Sequence, residues 1–64
     1  MPIGSKIKFH REAKGWQQEY MAAELKISQP SYSRIESGQV KIKIEILIEI
    51  ARVLQVQPLQ LIGE

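Results

Sequence analysis

The side chains able to do chemistry in this chain are few, and they cluster. Gln29, Pro30, Ser33, Arg34 and Ser37 recur at spacings that a helix brings to one face. They offer amide, hydroxyl and guanidinium groups with no carboxylate among them. Such a face recognises by hydrogen bonding and tolerates a negatively charged partner. Catalysis has little to work with: Cys is absent and His10 is the lone histidine. Without these there is no thiol nucleophile, thiolate metal site or disulfide framework, and one histidine cannot build a zinc site. Neither an enzyme nor a cofactor is expected, and no metal.

That face needs a frame, and the frame must be small. With 64 residues the chain forms one domain, 1–64, close to the lower limit for a single core without staples. No apolar run approaches the ~20 residues that cross a bilayer, and the amino terminus MPIGSKIKF lacks the apolar stretch of a signal peptide. A soluble cytoplasmic protein with no membrane partner is expected. The formal charge is +2, unevenly spread. Most lysines and arginines precede residue 44, whereas Arg52 alone faces Glu45, Glu49 and Glu64 after it. A basic front favours a polyanionic partner there.

Helical spacing supplies the supports. Ser5 is a possible N-cap for a first helix, with Ile3 and Ile7 inward and Gly15 as its stop. Phe9 leaves that face, to cover a core edge or lie exposed, and His10 sits at the core margin. Trp16 and Gln17 open a second helix, Gln18 to Leu25, whose inward stripe is Met21, Ala22 and Leu25. Trp16 acts as a hydrophobic staple against Met21 or Tyr20. Ala22 is small enough for a close crossing. The turn Leu25-Lys26-Ile27-Ser28 then plugs Ile27 inward and offers Ser28 as N-cap for a third helix, where Pro30 is tolerated in the first turn. Tyr32 and Ile35 point inward on that helix, Glu36 needs a cation, for which Arg11 is the candidate, and Gly38 ends it.

Beyond Gly38 the pattern is ambiguous. Val40, Ile42, Ile44, Ile46, Ile48 and Ile50 alternate as in a strand, yet Ile44, Leu47, Ile48, Ala51 and Leu54 also fit one helix face. The length of EILIEIARVL favours a helix over residues 44–54 after an extended loop at 40–43. Ile46, Ile50 and Val53 form a second apolar stripe beside the first. So much apolar circumference exceeds what one small core covers. Ile46, Ile50 and Val53, with Leu59 on a last short helix after Pro58, are therefore the candidate two-fold interface.

Gln18, Ala22, Ile27, Ser28, Ser33, Ile35, Glu36 and Gly38, followed by Ile44, Leu47, Ala51, Leu54, Val56 and Leu61, resemble the phage-repressor and Cro-type helix-turn-helix family, the XRE type. The likeness covers nearly the whole chain, and the segments SRIESG and ARVLQV at matching spacing make it specific. It implies an all-α, compact five-helix lambda-repressor-like domain that lays its third helix in the DNA major groove. By resemblance, Gln29, Pro30, Ser33 and Arg34 match base-reading positions. Gln18 matches a glutamine that touches a phosphate and steadies Gln29. Gln17, Ser28, Ser37, Gly38, Gln39 and Lys41 match positions along the sugar-phosphate backbone, and Arg11 with Glu36 matches a structural ion pair. Elementary chemistry agrees: glutamine pairs with adenine, arginine with guanine, and proline touches a thymine methyl.

The chain also departs from the family. Lys26 replaces a glycine common in the turn, so either that residue is not left-handed or it carries about 1 kcal/mol of strain. Gln17 replaces a Ser or Thr cap, His10 a leucine, and Ile42-Lys43 a proline and a capping residue. Pro30 replaces a hydrogen-bonding residue and should shift base preference. The resulting expectation is a double-stranded DNA-binding regulator, a repressor, acting as a homodimer on an inverted repeat. Alternatives are an antitoxin or restriction-modification controller with the same fold, or a protein-interaction module docking through the Ile46, Ile50, Val53 and Leu59 surface.

Overall fold

A computed structural model describes residues 2–63 and contains five helices: α1 (Ile3–Ala13), α2 (Gln18–Leu25), α3 (Gln29–Ser37), α4 (Ile44–Leu54) and α5 (Leu59–Ile62). No strand occurs among the described residues. Residues 41–43 have no regular secondary structure, with Lys43 extended at φ -69 and ψ 149, and the alternating isoleucines after them are helical. The core takes one or more side chains from every helix, with Ile7, Met21, Tyr32, Ile50, Leu54 and Leu61 wholly buried. At roughly 1.5–3 kcal/mol per large apolar side chain removed from water, these six provide much of what holds so short a chain together.

α1 begins earlier than Ser5 would place it. Pro2, in an extended conformation, occupies the N-cap position, and no side chain caps this end. The reason lies at Gly4, which is buried against the end of α3: a Cβ there would stand 2.4 Å from the Glu36 carbonyl oxygen. Only a helix that has already started brings Gly4, Ile7 and Arg11 to one face at spacings of three and four. Phe9 is exposed and His10 half-buried.

α2 has the predicted bounds. The Trp16 and Tyr20 rings lie 4.4 Å apart at its entry, so the staple closes on Tyr20. Ala22 is buried with Met21 where α3 crosses. Lys26 then takes φ 61 and ψ 40, the left-handed conformation, which selects the strained alternative for that turn. The amide of Ile27 donates to the Ala22 carbonyl at 3.0 Å and that of Lys26 to Ala23 at 3.2 Å, the pair of bonds that closes a helix in a Schellman motif. Gly38 ends α3 in the same conformation at φ 79.

α4 is rotated from its expected setting. Leu47, Ile50, Ala51 and Leu54 are its buried residues, so the core meets the seam between the two apolar stripes instead of either stripe alone. Ile44 and Ile48, expected inward, are exposed. Ile50, expected at an interface with a second chain, has no exposed surface and belongs to the core. Ile46 and Val53 are half-buried at the core edge. α5 follows Pro58, packs on α1 and inserts Leu61, leaving Leu59 71% exposed.

Candidate nucleic-acid interface

α3 is held by both of its ends. At its start, the Ser28 hydroxyl oxygen accepts from the Ser31 amide at 3.2 Å, and the Ser28 hydroxyl lies 2.9 Å from the Ser31 hydroxyl. That satisfies one of the amides a helix N-terminus leaves free, and Pro30 removes another by having none. At its end the Gln39 amide donates to the Arg34 carbonyl at 3.0 Å and the Ser37 hydroxyl donates to the same oxygen at 3.2 Å. Tyr32, Ile35 and Glu36 face inward, and the opposite side carries Pro30, Arg34 and Ser37 exposed with Gln29 and Ser33 half-buried.

The inward side of α3 is polar as well as apolar. Arg11 of α1 donates from Nε to Glu36 Oε2 at 2.7 Å and from Nη2 to Glu36 Oε1 at 3.2 Å, with side chains only 7% and 3% exposed. Arg11 Nη1 also donates to the Trp16 carbonyl at 2.6 Å, which pins the α1–α2 turn. The Tyr32 hydroxyl donates to Glu36 Oε2. Gln18 Nε2 donates to Glu36 Oε1 at 3.0 Å, and Gln29 Nε2 donates to Gln18 Oε1 at 2.7 Å. An unbroken path of hydrogen bonds thus joins α1, the start of α2 and the first residue of α3. Among the described residues no buried side-chain nitrogen or oxygen lacks a partner, as a buried charged network requires.

Burial alone would push the Glu36 carboxyl upward, but hydrogen bonds from Arg11, Tyr32 and Gln18 together with the Arg11 charge outweigh it and hold the pKa below the usual carboxylate range. Glu36 is therefore ionised and fully engaged. Its hydrogen bond, ahead of the opposing effect of burial, raises Arg11. Burial, then the bond to Glu36, raises the Tyr32 hydroxyl.

The residues expected along a phosphate backbone form the margins of this face. Gln17 and Ser28 are exposed at the N-cap positions of α2 and α3. Ser37, Gly38, Gln39 and Lys41 continue past the end of α3 and are all exposed. An open groove of about 340 Å³ runs between α3, the following loop and α4; Ile27, Ile35, Ile42 and Ile46 line it together with Arg34, Lys41 and Lys43. Three cations and no carboxylate border that groove, a charge pattern suited to phosphates. Of the four proposed interface residues, Ile50 is internal, Ile46 lines the groove, Val53 lies at the core edge, and Leu59 is exposed on α5.

Sequence reading missed two contributors. The inward position of Tyr32 is explained by its ring alone, so its hydroxyl has no evident partner in the sequence, and Gly4 carries no role in the sequence reading of the first helix. Tyr32 and Glu36 are four apart on a helix, and that spacing was the available signal for the first. Nothing local announces the second, because the atoms that crowd Gly4 belong to residues 35 and 36. No group of His, Asp or Glu among the described residues is arranged to hold a metal ion, and no described helix is long and apolar enough to cross a membrane.

Comparison with known proteins gives one positive finding: a family model described as helix-turn-helix matches residues 7–61. Neither a curated protein nor a solved structure matches the chain.

Proposed function

The chain belongs to the helix-turn-helix family of the XRE type, whose members bind DNA as regulators of transcription, and from that premise we propose that it is a cytoplasmic repressor reading an inverted-repeat operator as a homodimer. The observation that carries this reading is the outward face of α3. Gln29, Pro30, Ser33 and Arg34 stand there without a carboxylate, beside a groove bordered by Arg34, Lys41 and Lys43. In the major groove such a helix reads base edges through its amide and guanidinium groups. Gln17, Gln18, Ser28, Ser37, Gly38, Gln39 and Lys41 contact the backbone and fix the register of the helix without reading sequence.

Two copies meet through apolar side chains that the fold leaves in water. Leu59 remains a candidate, Ile46 and Val53 offer half-buried edges, and the exposure of Ile44, Ile48 and Ile62 adds three more. Two-fold symmetry sets the recognition helices about 34 Å apart, one turn of duplex.

Selection from randomised duplex DNA tests this, with the Gln29→Ala/Arg34→Ala double variant run in parallel. Enrichment of an inverted repeat by the wild type alone is the expected result. Equal enrichment by both proteins would show that α3 does not read the sequence, and a single half-site would remove the homodimer. A salt titration of single variants adds detail: Arg34→Ala relaxes preference at one base pair, whereas Lys41→Ala weakens all sequences alike and lowers the salt slope by about one.

A further inference from the structure

The groove between α3, the following loop and α4 has a part that an operator leaves unused. Arg34, Lys41 and Lys43 border it and no carboxylate lines it, but Ile27, Val40, Ile42 and Ile46 make its floor aliphatic. Val40 is exposed, and the three isoleucines are half-buried. A duplex backbone offers phosphates and sugars, which pair with the cations and gain little from an isoleucine floor. Lys43 is also out of place as a structural residue. It occupies the N-cap of α4, where its side chain caps nothing. Ser, Thr, Asp or Asn would satisfy a free amide there, and a positive charge at a helix N-terminus opposes the dipole. A residue that costs stability at its own position points to a use outside the fold.

Charge and shape define what fills the groove. The cations require an anion and the floor requires large apolar groups, so the occupant carries both. A volume of about 340 Å³ lies at the low end of the roughly 300–1,000 Å³ of small-molecule sites, and this groove is open. A free small molecule would keep much of its surface in water, whereas a segment held by a partner's own fold has only to insert a side chain or two. A second copy is disfavoured by charge, because a two-fold contact through the groove would set Arg34, Lys41 and Lys43 against the same three cations. We propose that the groove docks an acidic segment of a partner protein, with carboxylates on the rim and large apolar side chains on the floor, and that the docked segment excludes the operator because Arg34 and Lys41 serve both. Exclusion rests on the reading of α3 as the recognition helix; docking does not.

The experiment begins with a phage-displayed library of short random peptides panned, without DNA, on the immobilised full chain. The enriched sequence is synthesised with a fluorophore and titrated by anisotropy against wild type, Ile42→Ser and Lys43→Ser, each first shown by circular dichroism to keep its helices. Lys43→Ser gains a helix cap and should melt no lower than wild type, and Val40→Ser on the exposed loop replaces Ile42→Ser should the latter unfold. Enriched peptides are expected to place acidic residues beside a pair of large apolar ones. Ile42→Ser should weaken the peptide by about tenfold or more while its affinity for the operator recovered by selection stays within about twofold. Lys43→Ser should weaken the peptide by about two- to fivefold, and operator duplex should displace the peptide from wild type. Enrichment of no acidic peptide, or of one that Ile42→Ser binds as tightly as wild type, overturns the docking site. Peptide and operator bound together overturn the exclusion. If Ile42→Ser turns a dimer into a monomer in sedimentation, a second copy fills the groove and the proposal falls. A chain that selects no operator sinks the recognition-helix reading, and the peptide titration, run without DNA, still decides the groove.

Discussion

Two ion pairs divide this protein into two kinds of structure. Arg11 and Glu36 join α1 to α3 in the interior, surrounded by Tyr32, Gln18 and the Trp16 carbonyl. Arg52 and Glu49 pair along the surface of α4, with side chains 69% and 39% exposed. The first pair organises the elements that present Gln29. The second organises nothing beyond its own helix, and exposed pairs of that kind contribute about 0–1 kcal/mol. Around the inner pair the packing is polar and directional, whereas α4 and α5 contribute mainly aliphatic side chains and leave several of them in water. The difference teaches where rigidity is placed: on the half that carries the candidate recognition face.

Removing Glu36 should break the contrast most visibly. Glu36→Ala leaves the Arg11 guanidinium buried without its partner, which costs about 3–5 kcal/mol. A domain of 64 residues has about 3–10 kcal/mol in all, so urea denaturation should show a large fall in the midpoint or no folded baseline. Acid should imitate the variant. Because folding lowers the Glu36 pKa, its contribution is full above the unfolded value of about 4.3 and is lost as pH falls through the lower folded value. Denaturation midpoints measured from pH 7 downward should therefore drop below about pH 4.3 in the wild type, with a shallower drop in Glu36→Gln. Equal slopes would remove the carboxylate from the account.

Gly4→Ala follows in size. The added methyl would lie 2.4 Å from the Glu36 carbonyl oxygen and 2.7 Å from that of Ile35, and these are backbone atoms that cannot swing aside. Overpacking of this sort costs about 1–3 kcal/mol. Since it pries α1 from the end of α3, where Arg11 reaches Glu36, thermal melting should show a loss well beyond the few tenths that Gly and Ala differ in an unstrained helix end. A neutral result would mean that α1 shifts freely on α3 and that the inner pair tolerates displacement.

Much of this was legible from the sequence because local signals agreed with one another. The bounds of α2, the Ser28 cap, the inward pair Tyr32 and Ile35 and the left-handed Gly38 each follow from residue type and spacing within one turn. The Arg11–Glu36 pair was legible as a need, since a carboxylate next to an inward pair must find a cation. Features that depend on a second element were not. The rotation of α4 is set by what packs on it, and a helix with apolar residues around most of its circumference gives no local reason to prefer one face. That is why Ile50 was assigned to an interface and Ile44 and Ile48 to the core. The start of α1 was misplaced for the same reason, because the crowding at Gly4 comes from the far end of α3.

The smallest effect belongs to the helix ends. Four of them close with the same two amide-to-carbonyl bonds: after Ala13, after Leu25, after Ser37 and after Leu54. Glycine supplies the positive φ at Gly15 and Gly38, but Lys26 and Gln55 supply it at φ 61 and φ 62. A non-glycine residue in that conformation carries about 1–2 kcal/mol of strain, while glycine adds about 0.4–1 kcal/mol of conformational entropy to the unfolded chain. Lys26→Gly should accordingly stabilise by a net ~0–1.5 kcal/mol. Gln55→Gly should gain slightly less, since it also gives up the surface hydrogen bond from Lys14 Nζ at 3.3 Å. Their effects on DNA separate the two halves. Lys26 lies in the turn that delivers α3, so a looser glycine there should reduce discrimination between operator and random duplex, whereas Gln55→Gly should leave that ratio unchanged. If both variants stabilise the fold and neither alters discrimination, the strained lysine is a legacy of sequence and the inner hydrogen-bond network alone holds α3 in place.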